Sequence, residues 1–154
     1  MPLMRGARAV VVTVLVALVS GCAVGEQHRD PTEVGASLQA AGEQASSAVT
    51  TVRTAVRLLG TDRITPAVAD TAQADSILVL AQATRTLTTL APPDPDTADT
   101  RDDLLVAVQD ATAAVVEAGA WIAGDPADRA TVPARLLRLL DEAGGTISQL
   151  AADS

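Results

Sequence analysis

Few residues in this chain could carry out chemistry. It contains one cysteine, one histidine and one tryptophan, which are Cys22, His28 and Trp121. Catalysis near neutral pH usually needs a positioned base, and zinc sites need several Cys or His ligands. Because His28 is the only histidine and no glycine-rich phosphate loop occurs, we expect no catalytic residue, no metal, no cofactor and no enzyme.

The cysteine follows a segment with the pattern of a secretory signal. Two arginines precede an apolar run, AVVVTVLVALV, at residues 9–19, and the small residues Ser20 and Gly21 stand directly before Cys22. A basic start, an apolar centre and small final residues are typical of a signal peptide. The run is about half of the ~20 residues that a transmembrane helix needs. We therefore expect residues 1–21 to be a cleaved signal peptide.

The four residues Val19-Ser20-Gly21-Cys22 resemble the lipobox of bacterial lipoproteins. That resemblance implies that a diacylglyceryl group is joined to the sulfur of Cys22 and that the chain is cut between Gly21 and Cys22. A thiol suits this role because its thiolate is a good nucleophile. Two acyl chains would anchor the protein firmly, on the outer face of the cell membrane. The alternative is a secreted protein in which Cys22 is simply buried.

Composition bears on the source and on the partners. The chain has no lysine, asparagine, phenylalanine or tyrosine, which indicates a genome rich in G and C. Together with the signal, this resembles small lipoproteins of actinobacteria. The net charge is −8, and it becomes more negative if the two arginines of the signal are removed. Nucleic acid is thus not an expected partner, since binding it needs clustered positive charge.

The rest of the chain divides into a short tether and one domain. Residues 22–30 would form the lipidated cysteine and a tether that reaches on the order of 15 Å. Residues 31–154 contain four apolar-periodic segments separated by proline and glycine. They predict an all-α domain, an antiparallel up-down four-helix bundle. A long dimeric stalk is the alternative.

Helix boundaries follow from capping residues and prolines. The first helix is predicted to begin at Asp30-Pro31 and to end at Gly60, and the second to run from Thr65-Pro66 to Pro92-Pro93. The third is expected to begin near Thr100, and the fourth after Asp125-Pro126 or at residues 131–133. The predicted apolar stripe of the first helix is Val34, Leu38, Ala41, Ala45, Ala48, Val52, Ala55 and Leu59; that of the second is Val68, Ala72, Ile77, Leu80, Ala81, Leu87 and Leu90.

Three further features invite a functional interpretation. The acidic run DPDTADTRDD at residues 94–103 resembles a calcium loop only loosely, because Pro95 stiffens it and its sixth position is not glycine. We expect it to cap and charge the start of the third helix. Trp121 is expected to be a core anchor, with the wall of a ligand pocket or a partner contact as the alternative. Gly144-Gly145 indicates either a helix break or, as we expect, close helix packing or a local kink.

Three functions fit these expectations. The first is a lipid-anchored, non-catalytic helical bundle that docks onto another envelope protein. The alternative is a domain that binds or senses a small ligand in a pocket between helices near Trp121. An enzyme that uses a carboxylate pair alone is the least favoured of the three.

Overall fold

The computed structural model describes residues 30–129 and 131–154, and this part of the chain is helical. Four long helices, α1 (Pro31–Leu59), α2 (Pro66–Thr89), α3 (Pro95–Ile122) and α5 (Ala134–Ala152), account for most of it. The single turn α4 (Pro126–Arg129) lies between α3 and α5. The predicted all-helical domain with four main helices is confirmed.

Three of the long helices begin with the same local chemistry. Asp30, Thr65 and Asp94 each accept a hydrogen bond from a backbone N–H of the first turn, and each is followed by proline. This arrangement satisfies a free N–H group and fixes φ for helix entry. The predicted starts of α1 and α2 are confirmed, but the start of α3 near Thr100 is wrong. Asp94 is the cap, and the helix begins at Pro95.

The helices surround one apolar core. α1 packs against α2 and α5, α3 packs against α2 and α5, and α1 also contacts α3 across the bundle. The predicted stripe of α1 is confirmed, since all eight of its residues are buried. The stripe of α2 is partly wrong, because Leu80 and Leu87 are buried while Val68 is 54% exposed. Trp121 is partly buried and packs against the core.

The glycine pair does not break α5, which is continuous from Ala134 to Ala152. A Cβ atom on Gly144 would lie 3.5 Å from a methyl carbon of Val49, whereas one on Gly145 would meet nothing within 4 Å. Only Gly144 therefore lies against a neighbouring helix, and the contact is ordinary. The closer approach of α1 and α5 occurs at Gly42, where an added Cβ would lie 2.5 Å from Cβ of Ala151.

Of the helices in the described ranges, α3 is long and apolar enough to cross a membrane by length and composition. In its most apolar window, 39% of the residues are buried within the bundle. The core helix of a soluble protein passes the same test.

Candidate functional site

A groove of about 940 Å³ runs between α1 and α2 on the surface of the bundle. Its lining comes from residues on both helices, and apolar atoms form most of it. The lining residues are Glu43, Gln44, Ser47, Ala48, Thr51, Ala67, Val68, Thr71, Ala72, Asp75, Ser76 and Val79. Its volume lies within the range of ordinary ligand pockets, although the groove is open to solvent along its length.

Ser76 joins the two helices at the groove. Its Oγ lies 3.2 Å from the carbonyl oxygen of Ala48 on α1 and 2.7 Å from that of Ala72 on its own helix. The side chain is only 3% exposed, so its hydroxyl needs these acceptors. Most neighbouring lining residues are Ala, Ser or Thr, which fill little volume. The crevice between α1 and α2 therefore stays open.

Apolar side chains are exposed on α2 more than elsewhere in the described part of the chain. Within the described residues, five large apolar side chains are exposed. Three of them, Val68, Leu78 and Val79, lie on α2. Val68 and Val79 also line the groove. Single exposed valines need no explanation, but two that border one apolar groove mark a surface that a partner could cover.

The charged residues that line this groove are both acidic. Glu43 lies on α1 and Asp75 on α2, and both side chains are exposed. Within residues 30–129 and 131–154, the ion pairs are Arg53 with Asp141 and Arg101 with Asp102. Neither groove carboxylate is therefore neutralised by a cation of the described chain.

Two smaller grooves border α5. One, of about 380 Å³, lies between α1 and α5, where Ser46 Oγ is 2.6 Å from Ser148 Oγ. The other, of about 400 Å³, lies between α3 and α5 and carries four charged residues, Asp110, Glu117, Arg135 and Glu142. Apolar atoms form the larger part of these linings too, but polar atoms contribute a larger share than in the α1–α2 groove, so both are weaker candidates for an apolar partner.

Trp121 lines none of these three grooves. Its indole Nε1 is buried and has no hydrogen-bond partner among the described residues. Its side chain is partly buried against the core cluster, and the core anchor and the partner contact both stay predictions. The alternative of a pocket wall gains no support from the grooves.

The acidic run caps α3. Asp94 Oδ1 accepts from the backbone N–H of Thr97 at 2.8 Å, and Asp94 Oδ2 accepts from the Thr97 hydroxyl at 3.0 Å. These bonds, the backbone bond above all, hold the pKa of Asp94 below its ordinary value. Arg101 donates to Asp102 at 2.6 Å. In the part of the chain that the structure covers, no three His, Cys, Asp or Glu residues are grouped as metal ligands.

The predicted lipidation and cleavage residues, Cys22 and Gly21, lie outside the described residues, as do His28 and the signal at 1–21. The groove, in contrast, was not predicted. Helical periodicity places Val68 in the core stripe, and only the side-by-side register of α1 and α2 shows that it is exposed. Comparison with models of protein families finds no match, and comparisons with curated proteins and with solved structures find no significantly similar chain.

Proposed function

We propose that this protein is a non-catalytic bacterial lipoprotein that docks onto another envelope protein through its α1–α2 groove. Its lipid anchor would be diacylglyceryl-Cys22, on the outer face of the cell membrane. The observation that carries the docking proposal is the apolar groove, with Val68 and Val79 exposed along it. The anchor rests on the sequence Val19-Ser20-Gly21-Cys22.

We infer that the four long helices alternate in direction as an up-down bundle. Contacts between α1 and α5 support this, since Gly42 faces Ala151 and Arg53 Nε lies 2.6 Å from Asp141 Oδ1. Residue numbers thus rise along one helix as they fall along the other. The same holds for α2 and α3. A Cβ on Gly119 would approach Gln73, and Arg101 Nη1 lies 3.4 Å from the carbonyl oxygen of Leu90.

This arrangement gives the end of the bundle nearest the tether an acidic character. A Cβ on Gly35 would lie 3.5 Å from the carbonyl oxygen of Ser154, so the start of α1 and the chain's last residue lie together. The acidic residues at the starts of α1 and α3 are Asp30, Glu33, Asp94, Asp96, Asp99 and Asp102. Anionic lipid headgroups repel such a surface. The domain would then stand off the membrane, and its groove would be free for a protein partner.

A non-catalytic role accords with the distribution of reactive groups. The single histidine of the chain is His28, in the predicted tether. Asp94, whose pKa is lowered by the capping bonds from Thr97, does not line the groove. No histidine lines it either, and a positioned histidine is the commonest general base. These observations favour a binding surface over acid–base chemistry.

Site-directed photo-cross-linking in intact cells tests the docking proposal. A photoreactive residue at Val68, which is 54% exposed in the groove, is compared with one at Val116, a valine on α3 that is 55% exposed. We expect the Val68 position to cross-link to one envelope protein and the Val116 position to give little of that product. Equal yields of the same product from both positions would contradict the proposal.

A second candidate function is the binding of a small amphiphile in the same groove. Its volume of about 940 Å³ and its mainly apolar lining favour this candidate. A ligand there would raise the melting temperature of the protein, and Val79→Glu would abolish that rise. A screen that finds such a ligand, together with no protein cross-link from Val68, would replace the docking proposal.

A further inference from the structure

We propose that the occupant of the α1–α2 groove is an amphipathic helix of the partner protein, with two Lys or Arg residues beside its apolar face. This inference rests on the proposed function and names the kind of partner that fits. It follows from three properties of the groove: its length, its apolar stripe and its charge.

The groove has the length of a short helix. It extends along α1 from Glu43 to Thr51 and along α2 from Ala67 to Val79. At 1.5 Å per residue, these stretches are about 12 Å and about 18 Å long. They match two to three turns of a docked helix. Because Ala, Ser and Thr predominate in the lining, the backbone of that helix can approach α1 and α2 closely.

The exposed valines form a stripe that a helix can follow. Val68 and Val79 are eleven residues apart, which is three helical turns, so both point to the same side of α2. Thr71, Ala72 and Asp75 lie between them on that side. A partner helix with apolar residues at i, i+4, i+7 and i+11 would cover this stripe, which is the usual mode of helix-in-groove recognition.

The charge of the groove selects the partner's polar residues. Glu43 and Asp75 lie on opposite walls, and both lack a cationic partner in the described chain. Ser76 contacts Ala48, and Glu43 lies five residues before Ala48. Asp75 precedes Ser76 by one residue on a helix that runs in the opposite direction in the inferred bundle. The two carboxylates are therefore offset by about 9 Å along the groove. Lys or Arg residues about six positions apart lie on the two flanks of the partner helix at this spacing and would face both.

A second copy of this chain is a poor occupant. Each copy carries 11 basic and 19 acidic residues, which gives it a net charge of −8. Like charge opposes association, whereas a basic helix is attracted to the groove and oriented by it. The charge complementarity therefore favours a different protein whose docking helix is basic.

Peptide cross-linking to the mature lipidated protein in zwitterionic detergent micelles tests this inference. The probe is a three-turn helical peptide with an Ala/Leu face and two Lys residues about six positions apart. The matched peptide has Glu in place of both Lys residues. A photoreactive residue at Val79 reports on peptide that lies in the groove. A photoreactive residue at Val116 is the control and reports on peptide that is bound only to the micelle.

At Val79 we expect the Lys peptide to cross-link at about one-tenth of the concentration that the Glu peptide requires. Neither peptide should react above background at Val116. The double variant Glu43→Gln/Asp75→Asn should reduce the tenfold preference to about twofold or less, as should 0.5 M salt, because screening weakens exposed charge pairs.

Equal reaction of the two peptides at Val79, or no reaction of either, would overturn the inference. If neither expected result is obtained with the peptides but Val68 still cross-links to one envelope protein in cells, the docking function stands and only the basic-helix inference is ruled out. Failure of the cellular cross-link would remove the docking function itself.

Discussion

Ser76 Oγ lies 3.2 Å from the carbonyl oxygen of Ala48 and 2.7 Å from that of Ala72, so one buried hydroxyl links α2 to α1 at the candidate docking groove. The hydroxyl has one proton and two nearby acceptors. Both acceptors are helical carbonyl groups. The contact fixes the register of the two helices where their small side chains leave the groove open.

Replacement of Ser76 tests this link. We expect Ser76→Ala to lower the free energy of unfolding by about 1 kcal/mol, the usual net value of one hydrogen bond. Ser76→Leu should cost more, about 1–3 kcal/mol, because the site is filled. Denaturant unfolding measures both. Thr71→Ala, at an exposed lining position, is the control and should stay within about 0.5 kcal/mol of the native protein.

Gly42 and Gly145 are two helical glycines at which replacement by alanine should have opposite effects on stability. An added methyl group at Gly42 would lie 2.5 Å from Cβ of Ala151, while one at Gly145 would meet nothing within 4 Å. Alanine raises helix propensity at either site by roughly 1 kcal/mol. We expect Gly145→Ala to stabilise the protein by about 0.5–1 kcal/mol. Gly42→Ala should destabilise it by about 1 kcal/mol, since overpacking outweighs propensity.

Thermal unfolding of both glycine variants gives the comparison. Stabilisation by Gly42→Ala equal to that by Gly145→Ala would show that α1 and α5 are not in close contact at this level. The same result would remove one of the contacts from which the alternating direction of the helices is inferred.

Asp94 makes the stability of the bundle depend on pH. The hydrogen bonds from Thr97 lower its pKa in the folded state, so its contribution is present above its unfolded pKa, near 4. That contribution is lost as the pH falls through the lower folded value. We expect the melting temperature to decrease once the pH is below about 4. Asp94→Asn should remove part of this decrease, because asparagine has no ionisable side chain but still caps the helix.

Melting curves of the native protein and of Asp94→Asn between about pH 7 and pH 2 check this. Asp103→Asn is the control, because Asp103 lies inside α3 and not at its N-cap. A decline that Asp94→Asn and Asp103→Asn change equally would contradict the specific role of the cap.

Cys22 determines the predicted anchor. Cys22→Ala should block acylation and leave the signal uncleaved by the lipoprotein pathway. Phase separation in detergent, combined with the mass of the mature chain, measures both changes. Detergent partitioning like that of the native protein, after cleavage of the signal, would rule out the lipobox interpretation.

The sequence predicts those features of the fold that depend on local chemistry. Asp30-Pro31 and Thr65-Pro66 mark helix starts because capping and proline act within one turn. The start of α3 is missed, although Asp94-Pro95 repeats the same pattern. The aspartates after it interrupt the apolar periodicity, and the acidic run resembles a loop. Capping at Asp94 nevertheless extends the helix to Pro95.

The groove depends on relationships that periodicity does not contain. Val68 falls on the apolar stripe of α2, yet it is 54% exposed and lines the groove between α1 and α2. The position of Trp121 away from the grooves depends likewise on how the helices are arranged. Residues with unusual chemistry are found from sequence, whereas a docking surface made of Ala, Ser, Thr and Val is not.

The most direct test of the central claim is the amount of the cross-linked envelope protein that co-purifies with two matched variants. Val68→Glu places a charge in the groove, and Val116→Glu places one on α3 at nearly the same exposure, 54% against 55%. We predict that Val68→Glu reduces the co-purified partner at least about tenfold, since a desolvated charge at an interface core is costly. Val116→Glu should leave it unchanged. Equal retention of the partner by both variants would contradict docking through the α1–α2 groove.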